Sequence, residues 1–580
     1  MAKDFKKEYQ YWLDSSAVDE KTKEELRAID GQESEIEERF YRDLDFGTAG
    51  LRGILGAGCN RMNVYTVRRT TQGIANYINS VGREAAERGV VISYDCRHFS
   101  QEFAMETAKV LAANGVRAYV FDEMNPTPVL SFAVRHLHTF AGVMITASHN
   151  PAKYNGYKVY GEDGAQLGVA PSAHVMDYIE KMDIFTDVRF VSEEEGKAAG
   201  LIQMVGKELV DAFLAEVIRC SIHPELIQKA ADDFKIVYTP FHGTGYKAVC
   251  EILKLAGFRH VYPVKEQVVA DPDFSTVKSP NPEDKEGFAL AISLAKEIGA
   301  DVIIGTDPDS DRIGVLAKND SGDYDVLTGN QTGELLTEYV LSEKAARGEI
   351  HSGDYIVKTI VTTDLVKKIA ACYGAEVYDV FTGFKNIAEV IKSKEGKNEG
   401  EYLFGFEESY GYLPGTYARD KDAVAAALLA CEMAAVYKLR GIGLREALLG
   451  LYEKYGCFTE RTVSVVMEGI DGMDKMAKLM SNTAENPPKA LGDTKFVAMR
   501  NYLEQKRYDF QSASVEPIDM VSTNVLYFEL EGGGFFIMRP SGTEPKIKFY
   551  YSVPSANLED GEAKIDALEA TVKKEILKQA

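Results

Sequence analysis

Cysteine is sparse and scattered: seven residues, at positions 59, 96, 220, 250, 372, 431 and 457, with no C-x-x-C pair. That spacing excludes a disulfide framework and a zinc ribbon and fits buried thiols in a reducing compartment. A long apolar run is also missing. The nearest approach, Ala423 to Tyr437, is interrupted by Glu432 and is too short to span a bilayer. The opening MAKDFKKEYQYWLDSS lacks the apolar core of a signal peptide. No Walker A loop is present, because none of the three Gly-Lys pairs is followed by Ser or Thr. Positive charge is in deficit, 66 Lys+Arg against 89 Asp+Glu, for a net −23. So acidic a surface repels nucleic acid and anionic lipid, and neither is expected as a partner. An anionic substrate then needs a pocket whose local basic residues oppose the global field. The expectation is a soluble, cytoplasmic protein.

The composition is that of a globular protein, 45% hydrophobic and 27% charged, and 580 residues are enough for three to five domains. Residues 14–44 are charged and rich in helix formers, which reads as a solvated helical segment. Three later stretches each pair a β-rich run with an amphipathic helix, a glycine and a second β-rich run. They begin at Val90, Lys235 and Tyr355, with Gly115, Gly257 and Gly374 placed where a helix end favours positive φ. Strand, helix, strand in that order implies parallel crossovers and an α/β class. The last ~120 residues lack the unit and read as a smaller α+β domain. The expected domains are 1–205, 206–322, 323–455 and 456–580.

Each unit is followed by a further β-rich run that ends in a polar loop, a favoured place for ligands in α/β sheets. After the first comes Thr146-Ala-Ser-His-Asn-Pro151. Ser148 emerges where its strand ends, and the adjacent His149 is expected to point away from it. Ten residues beyond the serine, Lys158 lies on the next β-rich run as an acid/base or phosphate partner. After the second comes Asp307-Pro-Asp-Ser-Asp-Arg312. Three carboxylates at alternate positions repel unless a cation sits among them, and hard oxygen ligands favour Mg²⁺ or Ca²⁺. An EF-hand fails, with Arg312 where glycine belongs and Lys318 where glutamate belongs. After the third, Glu407 and Ser409 have the spacing to grip paired sugar hydroxyls. In the last domain, Arg539-Pro-Ser-Gly-Thr-Glu-Pro545 offers a guanidinium, hydroxyls and exposed N–H groups as an anion cradle. A competing pattern, His242-Gly-Thr-Gly-Tyr-Lys-Ala248, has the outline of a dinucleotide fingerprint and would suit an NAD-dependent oxidoreductase. It explains none of the other loops.

TASHNP, TDPDSDR, GFEESYGY and RPSGTEP, in that order, resemble the α-D-phosphohexomutase superfamily. Within it they are nearest the bacterial phosphoglucomutase group with an FGTAGLRG segment, here Phe46 to Gly53. The resemblance covers essentially the whole chain. It implies four domains around a central cleft, each giving one loop. It implies a phosphorylated Ser148, with one Mg²⁺ per chain held by that phosphate and by Asp307, Asp309 and Asp311. Glu407 and Ser409 match sugar-binding positions. Arg539, Ser541, Gly542 and Thr543 match the site of the phosphate that is not transferred. Arg52, Arg312, Thr382, Lys385 and Lys421 match other positions facing substrate or phosphate. This chain has TDPDSDR where many relatives have glycines between the aspartates, so the loop's stiffness differs. The implied activity interconverts glucose 1-phosphate and glucose 6-phosphate through a phosphoserine enzyme and glucose 1,6-bisphosphate, which is also the activator. Lys158, its pKa depressed by other cations, is the first candidate for general base, with His149 and Arg52 beside it. Phosphomannomutase and phosphopentomutase are alternatives within the family. A metal-dependent phosphatase and a non-catalytic sugar-phosphate binder are alternatives outside it. A monomer or weak homodimer is expected.

Overall fold

The computed structural model describes residues 3–47, 50–397, 399–467, 472–541 and 546–579. Contacts divide the chain into two compact units. One comprises Met1–Thr332, Asp354–Lys358 and Gly383–Leu444; the other comprises Gly333–Gly353, Thr359–Thr382 and Arg445–Ala580.

The β-rich runs become strands because β-branched and aromatic residues fill a pleated surface buried on both faces. In chain order they are β1 (Gly50–Ile54), β2 (Val90–Tyr94), β3 (Ala118–Phe121), β4 (Ala141–Ile145), β5 (Tyr154–Gly161) and β6 (Ile202–Val205). Then come β7 (Lys235–Thr239), β8 (His260–Pro263), β9 (Val302–Thr306), β10 (Ile313–Lys318) and β11 (Tyr324–Val326). The next four are β12 (Tyr355–Thr359), β13 (Glu376–Val380), β14 (Tyr402–Glu407) and β15 (Gly411–Leu413), of which β13 belongs to the second unit.

The first unit contains a six-stranded sheet ordered β1-β5-β4-β2-β3-β6 and a five-stranded sheet ordered β11-β10-β9-β7-β8. In the first, β2 runs parallel to β3 and β4, and β5 returns antiparallel to β4. The second repeats this: β7 is parallel to β8 and β9, and β10 returns antiparallel to β9. The third copy has β12 parallel to β14 and β15 returning antiparallel. Each reactive loop therefore occupies the same corner of its sheet, between an inner strand and its returning neighbour. Gly115, Gly257 and Gly374 carry φ of +73°, +105° and +78° at their helix ends, as expected.

The N-terminal segment is helical, over Phe5–Asp14, Glu20–Arg27 and Glu33–Phe40. It is not merely solvated. Trp12, Leu26, Ile36 and Phe40 form a core with Tyr65 and Ile184 of the first α/β layer. The apolar positions are too thinly spaced along three short helices to read as one stripe.

Helix Ala423–Leu439 is buried along most of its length, and no helix among the described residues is long and apolar enough to cross a membrane. In the second unit, β16 (Cys457–Val466), β17 (Ala490–Leu491), β18 (Thr494–Asn501), β19 (Lys506–Asp509), β20 (Val515–Pro517), β21 (Leu526–Leu530), β22 (Phe535–Pro540) and β23 (Lys546–Ser555) form one sheet. All its pairings are antiparallel. Helices Gly472–Glu485 and Leu558–Thr571 contribute to its core. The fold class is α/β: three α/β/α domains with mixed sheets and a fourth with an antiparallel sheet and helices.

Candidate active site

Ser148 stands three residues beyond β4 with φ +52°, a left-handed conformation that costs a residue with a Cβ about 1 kcal/mol or more. The turn is held from several sides. The Ser148 N–H donates to Thr146 Oγ1 at 2.8 Å. Arg97, wholly buried, donates from Nη2 to the carbonyls of Ser148 (2.5 Å) and Asn150, and from Nη1 to those of Pro151 and Tyr154 at 3.0 Å each. Asp95 Oδ2 lies 3.3 Å from Arg97 Nε, and Phe274 stacks under the guanidinium at 5.0 Å. So tethered, Ser148 directs its Oγ into a hydrogen bond of 2.7 Å to Asp307 Oδ2.

The acidic loop bridges β9 and β10, and Ser310 takes φ +52° among the aspartates, a backbone conformation that glycine adopts more readily. All three aspartates are essentially buried, and one oxygen from each lies within 4.8 Å of the others. The oxygens divide their tasks. Asp307 Oδ1 accepts the N–H groups of Asp311 (3.1 Å) and Arg312 (3.0 Å), leaving Oδ2 to Ser148. Asp309 Oδ2 accepts from Lys158 Nζ at 2.7 Å. Asp311 Oδ2 faces Lys421 Nζ at 3.2 Å and Lys158 Nζ at 3.5 Å. Oδ1 of Asp309 and of Asp311 are buried without a hydrogen-bond partner among the described residues. Arg312 Nε lies 3.9 Å from Asp311 Oδ1, beyond hydrogen-bond reach. Two buried carboxylate oxygens without hydrogen bonds beside a third carboxylate are a donor set that fits Mg²⁺.

The electrostatics agree. Burial and the neighbouring carboxylates push Asp307 well above the usual range. Burial also acts on Asp311, yet Lys421, Lys158 and Arg312 hold it below. Lys158 contradicts the depressed pKa expected of a base. Burial lowers it, but Asp309 and Asp311 outweigh burial and raise it above an ordinary lysine. His149 does not point away from the serine either. The left-handed turn brings Nδ1 to 3.2 Å from Ser148 Oγ. Burial, then Arg312, hold the ring near pKa 2, so it is neutral and a poor proton acceptor.

Lys421 also donates to Asp420 Oδ1 at 3.0 Å, and Tyr160 and Gln166 donate to Asp420 Oδ2. Gly411 makes room for its stem: a Cβ there would lie 2.0 Å from Lys421 Cδ. Glu407, buried at the end of β14, accepts the Gly383 N–H at 2.7 Å, and burial raises its pKa. Ser409 is half-buried in the following turn. Arg312 reaches Glu283 at 3.3 Å. Arg52, exposed on β1, approaches Asn150 Oδ1 at 3.4 Å. Lys385 lines a cavity of about 400 Å³ with Phe140, Val159, Leu167 and Lys392, and none of the three aspartates or Ser148 lines it. In the second unit, Thr382 follows β13, while Arg539 is the penultimate residue of β22 and donates to Tyr550 at 3.3 Å. The Ser541 N–H donates to Lys546 O at 2.7 Å, and Gly542 and Thr543 lie outside the described residues.

Three family models match the chain. They describe the phosphoglucomutase/phosphomannomutase α/β/α domains I, II and III and match residues 43–184, 211–322 and 328–455. A phosphoglucomutase of Staphylococcus haemolyticus is 37% identical over 527 residues, 90% of this chain and 92% of its own. One of Staphylococcus aureus is 37% identical over 539 residues, 93% and 95% of the two chains. The chain belongs to the phosphoglucomutase/phosphomannomutase family. It is a phosphohexomutase, an enzyme of the isomerase class. A putative phosphomannomutase of Thermus thermophilus shares the fold with a TM-score of 0.67 at 19% identity, covering 92% of this chain and 99% of that one. The parafusin phosphoglucomutase of Paramecium does so at 0.67 and 18%, covering 93% and 96%.

Sequence reasoning missed two supports of this phosphohexomutase site, Arg97 and Thr127, whose hydroxyl donates to Asp309 Oδ2. The dinucleotide-like glycines buttress the acidic loop. A Cβ at Gly243 would lie 2.4 Å from Pro308 Cα, one at Gly245 would lie 2.5 Å from Ser310 Oγ, and the Thr244 N–H donates to Pro308 O at 2.8 Å.

Proposed function

We propose that the chain interconverts glucose 1-phosphate and glucose 6-phosphate, with Ser148 Oγ carrying the phosphoryl group and glucose 1,6-bisphosphate as the bound intermediate. The observation that carries this reading is the 2.7 Å contact of Ser148 Oγ with one of three buried carboxylates, two of which keep an oxygen without a hydrogen-bond partner among the described residues. The phosphoglucomutases 37% identical over nine-tenths of the chain support glucose as the sugar.

Mg²⁺ held by Asp307, Asp309 and Asp311 would supply positive charge against the phosphoryl group. The chain's own residues do the rest. Arg97 holds the serine turn rigid, so Oγ keeps one direction whether it carries phosphate or a proton. Lys158, whose Nζ is held on Asp309 Oδ2, is the acid/base partner of the reacting oxygens. His149 stays neutral and gives Ser148 a hydrogen-bond partner. Lys421 and Arg312 oppose the charge of the transferred group. Glu407 and Ser409 take sugar hydroxyls. Arg539 and Ser541, with Gly542 and Thr543, hold the other phosphate of the sugar bisphosphate.

The test is ³¹P NMR with glucose 1-phosphate, Mg²⁺ and trace glucose 1,6-bisphosphate. Conversion to glucose 6-phosphate by the wild type and its loss in Ser148→Ala is the expected outcome. Release of inorganic phosphate would make the protein a phosphatase, and conversion surviving in the variant would remove Ser148 from the chemistry.

A further inference from the structure

Asp309 is held by more than Lys158. Thr127 is the first residue of helix Thr127–His136, with Pro126 before it, so its N–H has no acceptor inside the helix. That N–H donates to the carbonyl of Asp309 at 2.8 Å, and Thr127 Oγ1 donates to Asp309 Oδ2 at 2.9 Å. Thr127 is fully buried. Asp309 Oδ2 thus takes two donors, Thr127 and Lys158, while Oδ1, equally buried, takes none among the described residues.

We propose that Thr127 is a positioning residue for the metal ligand Asp309, fixing the carboxylate so that only Oδ1 faces the cation. The inference rests on reading the aspartate trio as a Mg²⁺ site. A carboxylate with one oxygen engaged by a hydroxyl and an ammonium binds through the other alone. One-oxygen binding suits a small ion that demands octahedral order. A larger ion such as Ca²⁺, with six to eight oxygens in looser geometry, gains more from a carboxylate free to turn both oxygens toward it. Thr127 therefore tunes both the affinity of the site and its preference for Mg²⁺ over Ca²⁺. Side chains that orient ligands in this way are worth about 10- to 100-fold in metal affinity.

The test is calorimetric titration of Mg²⁺ and of Ca²⁺ into the full-length wild type, T127V, T127S and D309N, all brought to the same Ser148 phosphorylation state. T127V keeps the volume and the backbone N–H contact and removes only the hydroxyl; T127A serves if T127V does not fold. Mg²⁺ binding in T127V should weaken about tenfold or more, Ca²⁺ binding should weaken less, and T127S should restore both. The Mg²⁺ concentration for half-maximal activity should rise in step, with the KM for sugar phosphate unchanged. T127V binding Mg²⁺ like the wild type, while D309N does not bind it, would overturn the role of Thr127 and leave the metal site standing. D309N binding Mg²⁺ as well as the wild type would overturn both.

Discussion

Ser148 is legible in the sequence because a serine at a strand end, followed by His-Asn-Pro, belongs to a family pattern. The three aspartates are legible because like charges at alternate positions need a reason. Arg97 carries no such signal. An arginine in a loop is ordinary until the fold wraps four backbone carbonyls around it. Those bonds need the planar, multidentate guanidinium; an ammonium at that place satisfies only part of them. Arg97→Lys is expected to fold, to lose about 2–4 kcal/mol from charge-assisted bonds, and to lower kcat at least about tenfold as the serine turn loosens. A coupled glucose 6-phosphate assay beside a thermal melt checks this, and an unchanged kcat would contradict the clamp. Lys158 shows the limit of residue-level reading from sequence. Its position on β5 was readable, but its charge state depends on Asp309 and Asp311 arriving from another sheet.

At the scale of elements, the repeated strand-helix-strand units were readable because β-branched runs and helix-ending glycines are local features. The shared sheet order was not, since pairing depends on partners far along the chain. Helix Ala423–Leu439 illustrates what an element's end adds. Its N-cap, Asp422, accepts the N–H groups of Val424 (2.8 Å) and Ala425 (3.0 Å) and the hydroxyl of Tyr417 (2.6 Å). Burial nevertheless raises its pKa to about 6. A carboxyl whose folded pKa lies above its ordinary value stabilises the fold fully below about pH 4, and that contribution is lost as pH rises through 6. Asp422→Asn keeps a capping oxygen and cannot ionise. Relative to wild type it should gain on the order of 2–3 kcal/mol between acid and pH 8. Urea midpoints of both proteins at pH 5 and pH 8 test this, and a constant difference between them would count against a buried, titrating cap.

Against a net charge of −23 over the whole molecule stands a cluster in which Lys158, Lys421 and Arg312 meet the aspartates of the acidic loop. The global field opposes a sugar phosphate, so specificity for the anion belongs to those few cations and to the metal the aspartates can hold. Membership of the family was readable from four loops, and the structure adds how residues distant in the chain support two of them. What the account depends on most is that the phosphoryl group resides on Ser148 between half-reactions. Intact-mass and phosphopeptide analysis of the wild-type protein after incubation with glucose 1,6-bisphosphate and Mg²⁺ tests this directly. A single phosphate is expected on the peptide containing Ser148, transferred to the sugar as glucose 1,6-bisphosphate when excess glucose 1-phosphate or glucose 6-phosphate is added. Phosphate on another residue, or a protein that turns over glucose 1-phosphate without ever carrying phosphate, would contradict it.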